Sequence, residues 1–333
     1  MSMTEVYETT LAWDVGEFGL IDRIRGVFPE IDLSDDCALI CVPKSKGLLL
    51  TIDAGLRGTH FPEDSRFIRD AGWRTMAGAV SDINASGGKP SATLLALQIP
   101  RDFLLSDFDD FIRGVSEFSD WSKVPLVGGN ITRGDRFSAT VSVIGEVEKR
   151  VGRDSARIGD LVVLTGTVGG SEAGRLLALE EIATDSLDRN ICERLIARFM
   201  RPSPPLGLGE RLAKVGASAM IDISDGFLAD VAHIAESSKL GISVEINSLP
   251  LHPDLSRLSE CVEIDPFEVA AISGEEFELV FTISPADLGT AREIAEGFGT
   301  KITVIGDVKD GDGLEICRAG APVRLDYLGW RHF

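Results

Sequence analysis

SAMIDISDGFLADVAHIAESSKLG, residues 218–241, holds an apolar strand, an acidic turn and a helix in one reach of chain. The apolar run 218–223 predicts a strand, and 226–239 predicts a helix. Ser224 or Asp225 serves as its N-cap and Gly241 as its stop. Asp222 is harder to explain as turn chemistry. It follows four mostly apolar strand residues, where a charge is costly to bury.

Outward from this stretch, strand-length apolar runs alternate with helical patterns. On the C-terminal side come strands near 277–283 and 302–306 around a helix at 286–298. On the N-terminal side lie strand 161–165, helix 170–181 and helices near 188–199 and 205–215. Further back, the pattern predicts helix 14–29, strands 37–42 and 47–53 and a helical stretch at 64–86. Strand 92–98, helix 104–119 and strands 124–128 and 137–147 follow. The alternation argues a mixed α/β fold. A polar, Gly-containing segment at 149–158 marks a boundary between two domains, 1–150 and 151–333, as a length of 333 residues also suggests.

Charge narrows the function. Asp plus Glu is 53 and Lys plus Arg is 33, a net charge of −20. Such a surface repels nucleic acid and anionic lipid, so neither is an expected partner. No run of 18 apolar residues predicts a membrane span. The N-terminus has acids and no basic residue before Arg23, unlike a targeting peptide, so the expected compartment is the cytoplasm. Five scattered cysteines (Cys37, Cys41, Cys192, Cys261, Cys317) read as plain thiols. A phosphorylated ligand would need a cation between itself and so many carboxylates.

Hard oxygen donors collect where strands and helices end. Asp36 precedes strand 37–42. Thr51 and Asp53 share a face at the end of strand 47–53. Asp82 lies in AVSDINASGG, Asn130 in VGGNITRG, and Asp222 and Asp225 in IDISDG. Donors gathered from several element ends suit Mg²⁺, which takes one or two carboxylates plus waters and phosphate oxygens. The alternative for each alone is a turn or cap, and Asp225 fits an N-cap fully. GTVGGSEAG (Gly166–Gly174), between a strand and a helix, offers amides that hold phosphate, or simply permits tight packing. Glu275 and Glu276 read as loop charges, and Trp330 as a core anchor or a stacking platform. There is no GxxxxGK[ST], HRD, GxSxG or HExxH, and only four histidines.

Ten short motifs in order resemble the thiamine-monophosphate kinases, in the superfamily that includes aminoimidazole ribonucleotide synthetase. They are GEFGLIDRI, SDDCALI, LLLTIDAGLRGTHF, AVSDINASGGKP, VGGNITRG, SVIGEV, GRDSARIGD, IDISDGFLAD, SGEEFELVFT and GWRHF. The resemblance implies ATP-dependent phosphorylation of thiamine monophosphate to thiamine diphosphate. It implies several Mg²⁺ ions held by Asp36, Thr51, Asp53, Asp82, Asp222 and Asp225, with these acids as the catalytic set. It implies ATP contacts at Gly129, Asn130, Arg153 and Ser224, and thiamine-phosphate contacts at His60, Glu275 and Trp330. The implied architecture is an N-terminal half-barrel, completed across a homodimer, plus a C-terminal α/β domain. Another ATP-dependent enzyme of the superfamily and a non-catalytic nucleotide sensor are the alternatives. The chain departs from the family pattern at Ser34, Ile52, Asn130, Ser273, Glu276 and Phe277, where Gly, Thr, Asp, Gly, Asp and Tyr are usual.

Overall fold

Two sheets organise the chain, in a computed structural model that describes residues 11–29, 46–182, 188–325 and 328–329. Strand 37–42, Asp36, Cys37, Cys41 and Trp330 lie outside the described residues. The chain divides into two compact units: Met1–Ile83 with Pro90–Glu146, and Asn84–Lys89 with Val147–Phe333. The fold is mixed α/β, as the alternation of elements requires.

The first unit carries helix α1 (Ala12–Val27), strand β1 (Gly47–Leu56), helix α2 (Ile68–Ala85), β2 (Lys89–Ile99), α3 (Leu105–Ser122), β3 (Leu126–Arg133) and β4 (Ser138–Val147). Its four strands lie in the order β1-β4-β2-β3, with β2 and β3 parallel. One sheet face carries Leu95, Leu97, Ile99, Val141 and Val143, all buried. On the opposite face Leu48, Leu50 and Ile52 alternate along β1 and are 50%, 69% and 68% exposed, with Leu94 of β2 at 37%. Helices α2 and α3 approach closely at glycines: a Cβ at Gly72 or Gly114 would strike the Phe111 or Arg69 carbonyl.

The second unit continues with β5 (Leu161–Thr165), α4 (Gly170–Ala178), α5 (Arg189–Met200), α6 (Leu208–Val215), β6 (Ala219–Asp222), α7 (Phe227–Ser238), β7 (Gly241–Glu245), α8 (Pro253–Cys261), α9 (Pro266–Ile272), β8 (Leu279–Ile283), α10 (Leu288–Gly297), β9 (Ile302–Lys309), β10 (Gly313–Arg318) and β11 (Ala321–Pro322). Seven strands lie in the order β11-β10-β7-β9-β5-β8-β6, and only β10 and β7 pair in parallel. Alternating side chains feed two cores. Val162, Leu164, Ala219, Ile221 and Val280 pack on one face with Val231 and Ile234 of α7. Val163, Met220, Leu279 and Phe281 pack on the other with Leu212 of α6 and Ala295 of α10. A sheet covered on both faces explains why these strands read as unbroken apolar runs.

The sequence pattern predicts no element over 241–272, yet β7, α8 and α9 form there. Elements of five to nine residues are shorter than the window in which periodicity registers. Helix α7 ends on Lys239 in the left-handed region (φ 55), and Gly241 starts β7 instead of closing the helix.

Candidate active site

The expected residues fall into two sets, one in each unit. In the first, Thr51 on β1 donates its hydroxyl to Asp82 Oδ2 of α2 at 2.6 Å. Asp53 is exposed two residues further along the same strand face, about 7 Å away. Its Oδ1 accepts the Ala54 N–H at 2.7 Å. The guanidinium of Arg74 is buried in α2, and burial pulls its pKa down while the negative charge of Asp53 opposes the shift. Arg74 Nε donates to the His60 carbonyl at 2.9 Å, and His60 Nδ1 accepts the Leu56 N–H at 3.1 Å. Thr51, Asp53, Asp82 and His60 therefore surround one end of β1 and one flank of α2.

Gly129 and Asn130 stand elsewhere in this unit. They lie on β3, the opposite edge of the sheet, three strand spacings (about 14 Å) from β1. Asn130 pairs with Ala96, on the face turned away from the buried Leu95 and Leu97. A Cβ at Gly129 would strike the Leu95 carbonyl, so close strand packing by itself explains that glycine.

In the second unit, Asp222 ends β6 and is only 2% exposed. The following turn is not capped by Ser224 or Asp225. The N-cap of α7 is Gly226, with no side-chain bond to the helix. Instead Asp230, one turn into the helix, reaches back. Its Oδ2 accepts the N–H groups of Ser224, Asp225 and Gly226 at 2.9, 3.2 and 3.2 Å. Burial, then the charges of Asp222 and Asp225, push the Asp230 carboxyl well above its ordinary pKa, against the pull of the amides. Asp225, Asp230 and His233 each offer one ligand atom within 4.8 Å of the others. No salt bridge reaches Asp225 or Asp230 among the described residues.

Two further segments close on this turn. Glu275 N–H bonds the Ser224 carbonyl at 2.8 Å, and Phe277 N–H the Ile223 carbonyl at 2.9 Å. A Cβ at Gly274 would sit 2.6 Å from the Ser224 carbonyl oxygen, and one at Gly329 2.6 Å from that of Asp225. Asp222, Ser224, Asp225 and Glu275 thus converge, with the chain just before Trp330 against them. Glu275 and Phe277 both have left-handed backbone (φ 53 and 52), a strain of about 1–3 kcal/mol each. Arg153 is not gathered in. Its carbonyl accepts the Ser238 hydroxyl at the far end of α7, about 18 Å along the helix from Asp225.

Bonds at the start of α4 decide two readings of the sequence. Two amides there are already filled, which favours tight packing over phosphate binding for the Gly166–Gly174 segment. Ser171 N–H donates to Glu276 Oε1 at 3.0 Å and Glu172 N–H to Ser273 Oγ at 3.1 Å. Glu276 is not a solvated loop charge: it is fully buried, and Arg198 Nε donates to its Oε2 at 3.0 Å. A pocket of about 290 Å³ lies at the other end of β6 and β8, between Arg150, Arg157, Ser218 and Ser284, and takes in none of the expected residues.

The residues missed in the sequence are Asp230, Arg74 and Arg198. Each is a charge inside an apolar stretch, a visible anomaly; Arg74 and Arg198 find their partners in other segments, and Asp230 closes on the turn just before its own helix.

The fold is a mixed α/β architecture of two units, each with hard oxygen donors at the ends of its strands and helices. Residues 34–147 match the family model "AIR synthase related protein, N-terminal domain", and 157–317 match the corresponding C-terminal domain. The thiamine-monophosphate kinase of Aquifex aeolicus (strain VF5) is 34% identical over 324 residues, covering 96% of this chain and 99% of the relative. Among solved structures, AaThiL complexed with AMPPCP and TMP superposes with a TM-score of 0.77 at 35% identity, covering 96% and 98% of the two chains. Thiamine-monophosphate kinase from Stenotrophomonas maltophilia K279a gives 0.80 at 32% identity, covering 94% and 98%. The chain belongs to the thiamine-monophosphate kinase family, within the AIR synthase-related proteins.

Proposed function

We infer that this protein is a thiamine-monophosphate kinase: the γ-phosphoryl group of ATP passes to the phosphate of thiamine monophosphate, giving thiamine diphosphate and ADP. The observation that carries the reading is full-length similarity to the family at 34% identity. The AMPPCP found with TMP in a relative keeps the phosphates of ATP with a methylene in the bridge, as a kinase reading requires.

A phosphomonoester has a second pKa of about 6, so the acceptor is a dianion at neutral pH and attacks without a general base. Few histidines are therefore no obstacle. The difficulty is repulsion. Two unit charges about 4 Å apart repel by roughly 4 kcal/mol at an effective dielectric of 20. The donor set fits a hard divalent cation: a hydroxyl and carboxylates in one unit, and mutually repelling carboxylates in the other. Asp36, Thr51, Asp53, Asp82, Asp222 and Asp225 are the proposed Mg²⁺ ligands. Bound there, Mg²⁺ would neutralise phosphate charge in the ground and transition states. Gly129, Asn130, Arg153 and Ser224 are the proposed ATP contacts, and His60, Glu275 and Trp330 the thiamine-phosphate contacts.

On this reading residues 1–150 bind ATP and metal and dimerise, while 151–333 supply further acids and substrate contacts. The uncovered sheet face bearing Leu48, Leu50, Ile52 and Leu94 supports a homodimer, because such a patch favours burial. Free thiols at Cys192, Cys261 and Cys317 support a reducing compartment, the cytoplasm. The test is incubation with ATP, Mg²⁺ and thiamine monophosphate, followed by chromatography of the thiamine esters. Thiamine diphosphate formed in step with ADP is expected. Turnover only with another acceptor, or binding without turnover, would overturn the assignment.

A further inference from the structure

Glu275 stands in a loop whose backbone is held in a disfavoured shape on both sides of Glu276. Left-handed conformations at two bulky residues persist only when the surroundings over-determine them. From the front, Glu275 and Phe277 bond the Ser224 and Ile223 carbonyls. From behind, the hold is Glu276. Its Oε1 accepts the Ser171 N–H at 3.0 Å and the Ser273 hydroxyl at 2.7 Å. Its Oε2 accepts Arg198 Nε at 3.0 Å, and its own carbonyl accepts Arg198 Nη2 at 2.8 Å. Arg198 also reaches Glu278 at 3.4 Å, which in turn accepts the Thr165 hydroxyl at 2.6 Å. Arg198 and Glu276 thus tie α5, the start of α4 and the 273–277 loop together. Glu276 is wholly buried and the Arg198 side chain 15% exposed, so neither is a surface pair worth little.

We propose that the buried Arg198–Glu276 pair is a positioning device that holds the backbone of Glu275 against the Ser224 carbonyl, and so determines affinity for the thiamine-phosphate acceptor. This rests on the reading of Glu275 as an acceptor contact. The pair acts through the loop backbone, whose only low-energy escape is for Glu275 to relax out of the left-handed region and swing away from the turn.

The experiment is a double-mutant cycle on the full chain with Glu275→Gln, Glu276→Gln and the combined variant, measuring kcat and both KM values. Circular dichroism verifies the fold. Glu276→Gln keeps the side-chain volume, and should raise KM for thiamine monophosphate about tenfold while KM for ATP stays within about twofold. The combined variant should be no worse than Glu275→Gln alone, because the pair works only through Glu275. Additive losses, or equal rises in both KM values, overturn the proposal. A Glu275→Gln variant with unchanged KM for thiamine monophosphate overturns instead the assignment of Glu275 as a contact. Should Glu276→Gln fail to fold, Arg198→Lys replaces it in the same cycle, since it keeps the charge and loses the forked geometry.

Discussion

The acids of the two units are held in opposite ways. In the first unit Asp53 is exposed on an edge strand beside a buried cation, Arg74, and Asp82 is met by a hydroxyl. In the second, Asp222 and Asp230 are buried and repel one another; Asp230 is steadied by three backbone amides, while the Oδ2 of Asp222 is buried with no hydrogen-bond partner among the described residues. The first set costs little to keep empty. The second is a store of electrostatic repulsion that a bound cation would relieve. A metal should therefore be felt more strongly, both in stability and in turnover, at the second set.

The largest expected effect is at Asp222. Asp222→Asn should lower kcat about 10³-fold with the fold intact, while the metal-free variant melts roughly 2–4 °C higher than the parent because one repelling charge is gone. A lower melting temperature in scanning calorimetry would show that the carboxylate has a structural job. Asp53→Asn should lower kcat about 10²-fold and leave the metal-free melting temperature unchanged. A shift as large as that of Asp222→Asn would erase the contrast between the units. Thr51→Val, which removes the hydroxyl that Asp82 accepts, should lower kcat/KM about ten- to fifteenfold, corresponding to the lower end, about 1.5 kcal/mol, of the net worth of one hydrogen bond to a charged group. Steady-state kinetics at saturating Mg²⁺ measures this.

The smallest effect concerns pH. Burial raises the Glu278 carboxyl above its ordinary pKa, against Arg198 and the Thr165 hydroxyl. Its contribution to stability is thus fully present below the unfolded value of 4.5 and is lost as pH rises through the folded value. Asp254 runs the other way. Arg194 bonds it at 2.7 Å through two nitrogens and holds its pKa low, so its contribution is present above 3.8 and lost as pH falls through the folded value. Glu278→Gln should flatten the decline in melting temperature above pH 4.5 by about 1–3 °C, and Asp254→Asn should not. Calorimetric scans across pH 4–8 separate the two.

Much of this was legible in the residue pattern. Strand 161–165 and the helices near 188–199 and 226–239 stand where apolar spacing puts them, because the sheet of the second unit is covered on both faces and its strands must be apolar throughout. Asp222 was visible as a charge at the end of such a strand. What escaped was partnership. Asp225 fits a helix cap on paper, yet Asp230 captures the turn amides because a left-over acid one turn into α7 points back along the helix toward them. Glu276 looks like a loop charge until α4 and α5 are seen to converge on it.

The order of apolar runs and acids along the chain was enough to specify an α/β architecture and a set of hard oxygen donors at element ends, since strand alternation, helix spacing and the cost of burying charge are local properties of sequence. Only the folded chain decided that Asn130 sits at the far sheet edge from Asp53, that Arg153 stands at the far end of α7 from Asp225, and that Arg198 braces the loop of Glu275. Those relations join residues dozens of positions apart, and they depend on which strands pair and which helices pack, a choice made by the summed burial of the whole unit and by no short stretch within it.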